Sequence, residues 1–190
     1  MTRRNDLPQI TLLVACCLIL VALPFVTTYN DLLTAGAVRL GVAGPLQSVS
    51  PVEARMVVAL LQVFGVHAAA AGSQLVVWDA GGRATNLFIS WNCIGWQSLV
   101  LLGVSLAVGL RGTQSREARV QVLMIGLLGT VLVNLVRVTL VCMLAAVAGR
   151  TPALILHDYG GTLMTTAWLF GFWIIAQRWI LRSEAGTEPA

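Results

Sequence analysis

An all-α integral membrane protein, with about four transmembrane helices, an extracytoplasmic amphipathic helix and a short β-hairpin, is the fold class this chain predicts. Three observations lead there. Of 190 residues, 57% are hydrophobic and 11% charged, whereas soluble domains average roughly half apolar and one quarter charged. Four apolar runs, residues 8–29, 93–110, 120–149 and 157–176, have the length of about twenty residues that a hydrocarbon core of about 30 Å requires. The basic residues number 12, all of them arginine, and most flank these runs.

The first run follows Arg3 and Arg4 as a secretory signal would, but no small-residue cleavage site follows it, so it is expected to stay as a helix. Arg3 and Arg4 precede run one, Arg111, Arg116 and Arg119 lie between runs two and three, and Arg178 and Arg182 follow run four. By the positive-inside rule that side is cytoplasmic, in the plasma or inner membrane, with both termini inside and residues 30–92 outside. The short connection 150–156 falls outside as well. A net charge of +4 then signals orientation, and no nucleic-acid partner is expected.

Within the outer segment, residues 51–66 mix Val57, Val58, Leu60, Leu61 and Phe64 with Glu53, Arg55 and Gln62, a pattern for a helix lying at the membrane interface. Gln74–Trp78 and residues 86–91 are rich in Val, Ile, Phe and Trp and flank Asp79-Ala80-Gly81-Gly82-Arg83, which predicts a hairpin. Residues 1–182 make one membrane domain, and 183–190 a disordered cytoplasmic tail.

Three side chains that lipid tolerates poorly share one depth. Cys93 lies 18 residues before Arg111 and Arg137 18 residues after Arg119, about 27 Å in each case at helical rise. His157 lies 21 residues before Arg178, about 31 Å on the same rise. All three reach the outer edge of the hydrocarbon. Arg137 is followed by mostly apolar residues up to Ala148, so snorkelling explains it poorly and a protein-lined cavity explains it better. Asn134 stands one turn before Arg137 as its orienting partner, and Gly126 and Thr130 continue a small, polar stripe suited to close packing. The start of run two beside Cys93 favours thiolate, and a helix start at His157 favours the neutral imidazole that accepts a thiol proton. His67 is expected to be structural. Two histidines and four scattered cysteines lack ligand spacing, so neither metal nor cofactor is expected.

Asn92-Cys93-Ile94-Gly95, Asn134-Leu135-Val136-Arg137 and His157 with Gly160 and Gly161 occur in the order and spacing of the three motifs of the exosortase/archaeosortase family. Leu60-Leu61, Gly65-Val66 and Gly72 are similar to the segment upstream of that family's cysteine. The chain resembles a short, four-span core form of this family over roughly residues 50–175, with Ile94 where Ser or Ala is usual.

The resemblance implies a cysteine transpeptidase without cofactor. It would cleave the C-terminal signal of secreted substrates, a short motif with an apolar helix and basic tail, and transfer the new carboxyl end to a lipid or other acceptor. Catalytic roles fall to Cys93, Arg137 and His157, with Asn134 and Asn92 supporting. Two other readings stay open: a thiol-redox membrane enzyme pairing Cys93 with Cys142 and Cys16 with Cys17, and a noncatalytic assembly protein in which Arg137 and His157 only hold the bundle.

Overall fold

The computed structural model describes residues 28–112 and 114–181. The expected first span up to residue 27, with Arg3, Arg4, Cys16 and Cys17, lies outside the described residues, as do Arg182 and the tail 183–190.

One helix organises the rest. Helix α5, Arg116–Ala148, has 33 residues and is about 50 Å long, well beyond a hydrocarbon core of about 30 Å. Among the described residues it is the helix whose length and composition suit a membrane crossing. Its start is set by Ser115, whose side chain accepts from the Ala118 backbone N–H at 3.1 Å, and by Glu117 in the positive first turn. Preceding it are a helix at residues 28–39, α1, the short α2 (Ala43–Gln47) and α3 (Ser50–Val63). Next come β1 (Ala68–Ala71), β2 (Gln74–Trp78), β3 (Ala84–Phe88) and α4 (Trp96–Gly109). After α5, the chain is helical from α6 (Arg150–Ile155) through a wide π-helical turn (Leu156–Gly160) into α7 (Gly161–Ile175) and a second π-helical stretch (Ala176–Leu181).

The two ends of α5 carry two separate cores. Towards its start, Val122 packs with Leu102 and Leu106 of α4 and with Phe172 and Ala176 of the α7 run. The small, polar stripe expected on this helix is where the neighbours come closest. Gly126 leaves room for Phe172 and Leu102, and buried Thr130 accepts a hydrogen bond from Trp168 Nε1 at 2.9 Å. Such contacts suit helix association in lipid, where burial of apolar surface alone gives no drive.

Towards its end, Val138 and Cys142 pack with Ala54, Val57 and Leu61 of α3 and with Leu75 and Val77 of β2. The apolar residues beyond Arg137 therefore belong to the core of a β-sheet lobe. The expected hairpin is present, with Val76 opposite Asn86, and β1 adds a third antiparallel strand, Ala69 opposite Val76.

Several expectations need correcting. The segment expected as an interfacial helix is α3, and one side of it is core: Ala54, Val57 and Leu61 are fully buried, and Glu53 is 9% exposed. Residues 150–156 are helical. The second apolar run becomes helix only at Trp96, which leaves Cys93 on a turn ahead of α4. His157 occupies a wide turn inside a continuous helical run, so no helix start acts on it.

Leu75 is fully buried beneath the sheet. Leu75→Ala is expected to cost the lobe about 2–5 kcal/mol, read as a lower denaturant midpoint for protease protection of residues 50–90 in detergent.

Candidate active site

The loop from β3 to α4 is held from both sides. Gln47, the last residue of α2, donates through Nε2 to Ser73 Oγ at 3.0 Å and to the Ile89 carbonyl at 3.2 Å, while its Oε1 accepts from the Trp91 N–H at 2.8 Å. A tight turn closes as the Cys93 N–H donates to the Ser90 carbonyl at 2.8 Å. Gly95 has φ of 76° at the entry to α4, and a β-carbon there would overlap the Asn134 side chain. Glycine is required on both counts.

Cys93, Arg137, His157 and Asn134 come together across this loop, α5 and the π-helical turn. Cys93 Sγ lies 3.4 Å from His157 Nε2 and 3.4 Å from Ser90 Oγ. Arg137 Nη2 approaches His157 Nε2 at 3.5 Å and donates to the His157 carbonyl at 3.3 Å, and Nη1 donates to Asn134 Oδ1 at 3.5 Å. Gly161 lies directly against the guanidinium, where any β-carbon would overlap it. The motif glycine therefore clears the space for the arginine.

Arg137 bears on the histidine tautomer. Guanidinium is donor-only, so in the neutral imidazole its neighbourhood favours a lone pair on Nε2 and the ring proton on Nδ1. There it meets Asp158 Oδ1 at 3.0 Å. Nε2 is then free to take the thiol proton, an order of groups (thiol, imidazole, carboxylate) suited to nucleophilic catalysis. Burial pushes the Cys93 thiol up, but its hydrogen bonds with His157 and Ser90 and the charge of the imidazole once protonated outweigh it and bring the thiol down to about 7. This arrangement takes the place of the helix-start effect expected at Cys93.

A cavity of about 400 Å³ reaches Arg137 and His157, with Asp31 of α1, Asn92, Gln97 and Thr162 among its walls. Asn92 accepts from Gln97 Nε2 at 3.5 Å and belongs to this wall. His67 lies apart, at the β1 end of the lobe beside Trp78 and Asp79. Cys93 and Cys142 are both free thiols. Among the described residues no cluster of His, Cys, Asp or Glu could hold a metal ion.

Two residues escaped the sequence reading. Asp158 is marked only by following His157. Glu53 is buried behind the site, where its Oε1 accepts from Asn134 Nδ2 at 2.7 Å. Its signal was an acid in a stretch otherwise rich in buried-type residues.

The transmembrane exosortase family model matches residues 8–174. The chain belongs to this family. No curated protein and no solved structure matches it. Membership makes this exosortase-family chain a membrane protein, in keeping with the membrane-length apolar α5.

With Cys16, Cys17 and Cys142 replaced by Ala, iodoacetamide alkylation of Cys93 in membranes is expected to rise with a midpoint near pH 7. His157→Ala removes the histidine's hydrogen bond and charge, leaving Ser90 alone to oppose burial, and should move that midpoint upward, towards the ordinary thiol value of about 8.5.

Proposed function

We propose that this chain is a cysteine transpeptidase that processes the C-terminal sorting signals of secreted proteins at the outer membrane face. The observation that carries the reading is one imidazole nitrogen, His157 Nε2, lying 3.4 Å from a thiol and 3.5 Å from a guanidinium beside an open polar cavity. Family membership supports it.

The chemistry runs in two halves. The Cys93 thiol gives its proton to His157 Nε2, and the thiolate attacks the scissile carbonyl. Oxygen charge develops beside the Arg137 fork, whose position is already fixed by Asn134 and the His157 carbonyl. Collapse breaks the peptide bond, the imidazolium protonates the leaving amine, and a thioester remains on Cys93. In the second half the acceptor loses its proton to His157, attacks the thioester and releases the thiolate. Asp158 holds the imidazole in the productive tautomer throughout.

Four spans, cytoplasmic termini and an outer site complete the proposal. Arg137 lies 21 residues into α5, about 31 Å along the axis, so a helix entering at its basic start carries the site to the opposite boundary. A substrate with a short motif followed by an apolar helix and a basic tail would hold its scissile bond at that height. The acceptor is a lipid or another nucleophile that enters by the same cavity.

In cells making a secreted reporter with such a tail, Cys93→Ala should abolish tail removal without altering membrane insertion. Survival of processing would remove Cys93 from the nucleophile's role. Arg137→Lys keeps the charge and loses the planar fork, so processing should fall by about 10²–10³, the scale of a lost oxyanion donor. Asp158→Asn should cost about tenfold, less than for a buried triad carboxylate, because the Asp158 side chain is 66% exposed.

A further inference from the structure

Glu53 is the buried ionisable group that the proposed chemistry does not use. It comes from α3, in the lobe, and it is 9% exposed on the helix that carries Ala54 and Val57, both fully buried. A carboxyl group in such a place costs free energy unless its contacts repay it. Its Oε2 is buried and has no partner, while Oε1 is held at 2.7 Å by Asn134 Nδ2.

The same Asn134 nitrogen donates to the Cys93 carbonyl at 2.9 Å. An amide nitrogen has only two hydrogens, so both are committed, one to α3 and one to the nucleophile's own peptide group. That leaves Asn134 Oδ1 turned towards Arg137 Nη1, at 3.5 Å. The opposite orientation of the amide would set oxygen against two acceptors and the NH2 group against a guanidinium donor. Gly95, whose missing side chain makes room for Asn134, closes the remaining side.

We propose that Glu53 is a positioning residue: an acceptor that locks the Asn134 amide in one orientation and thereby registers the Cys93 turn against the Arg137 fork. The lock joins α3, the nucleophile's loop and α5 through one side chain. The proposal rests on the transpeptidase reading for its consequence in catalysis and on geometry alone for its effect on the Cys93 turn.

Burial, reinforced by the Cys93 charge, pushes the Glu53 carboxyl up to about 7, against the opposing pull of Arg137 and the Asn134 hydrogen bond. Either protonation state preserves the lock, because a proton on the unpartnered Oε2 leaves Oε1 free to accept. Gln at this position can do the same, with its carbonyl oxygen in place of Oε1. Leu cannot, although a purely packing role would favour it in this apolar setting.

The test uses the full chain in membrane vesicles, with Cys16, Cys17 and Cys142 replaced by Ala. Two readouts are compared for Glu53→Gln and Glu53→Leu: reporter processing, and the plateau rate of Cys93 alkylation by iodoacetamide above the thiol's titration, which needs no substrate. Glu53→Gln should stay within about threefold of the parent in both. Glu53→Leu should lose about tenfold or more in processing and gain about tenfold in plateau alkylation, because the freed turn exposes the thiol. Adding Glu53→Leu to Asn134→Leu should cost little more than Asn134→Leu alone.

If Glu53→Leu matches the parent in both readouts, or Glu53→Gln is as impaired as Glu53→Leu, the lock is overturned. If the parent processes nothing yet the alkylation pattern holds, the transpeptidase reading fails and the lock stands. Should Glu53→Leu fail to insert, Glu53→Met takes its place with the same expectations.

Discussion

Burying one guanidinium is the constraint on which this structure depends. Arg137 sits at the junction of two apolar cores, where an unpaired charge would be severely unfavourable. Its surroundings answer that demand in part: Asn134 and the His157 carbonyl accept from Nη1 and Nη2, Gly161 gives up a side chain so that it fits, a neutral His157 ring turns a lone pair towards it, and the buried Nε is left without a partner. The proton arrangement a thiol base needs is thus favoured by the same contacts that house the cation.

Why α5 can supply this junction follows from its length. A helix only as long as the bilayer would end near Arg137 and leave the arginine at a frayed terminus. Here the chain continues past it to Ala148, and Val138 and Cys142 are gripped by α3 and the sheet. Residues Asn134 to Arg137 are therefore mid-helix, with rigid backbone and packed neighbours on both sides. The other partners arrive on less regular structure, Cys93 on a tight turn and His157 on a wide one, which lets their side chains be aimed at a fixed target.

Cys93, Arg137, His157 and Asn134 were legible in the sequence because ionisable and amide side chains are rare in apolar runs, and helical rise converts spacing into depth. Other parts were hidden for physical reasons. Ala68–Ala71 is four alanines, the strongest helix formers, and it becomes a strand because β2 offers it a pairing edge and α3 a surface. Glu53 looked like the polar face of an interfacial helix, since nothing local announces that this face meets Asn134 from a segment 81 positions away. His157 looked like the beginning of a helix because glycines and an aspartate follow it, whereas tertiary packing carries the helix straight through. Asp158 gained its meaning only from the histidine tautomer, which depends on the arginine.

The extension of α5 past Arg137 makes that helix a gauge with both readings on a single rod. At its lower end the gauge is seated among α4 and α7, at its upper end among α3 and the strands, and the polar groups mark a fixed height and a fixed bearing between them. One residue inserted between Thr130 and Asn134 would raise the mark by about 1.5 Å and swing it by about 100°, breaking the bearing far more than the height. A change of length in this molecule is consequently accommodated better off the rod, at the tip between β2 and β3, than in the stretch joining the two cores.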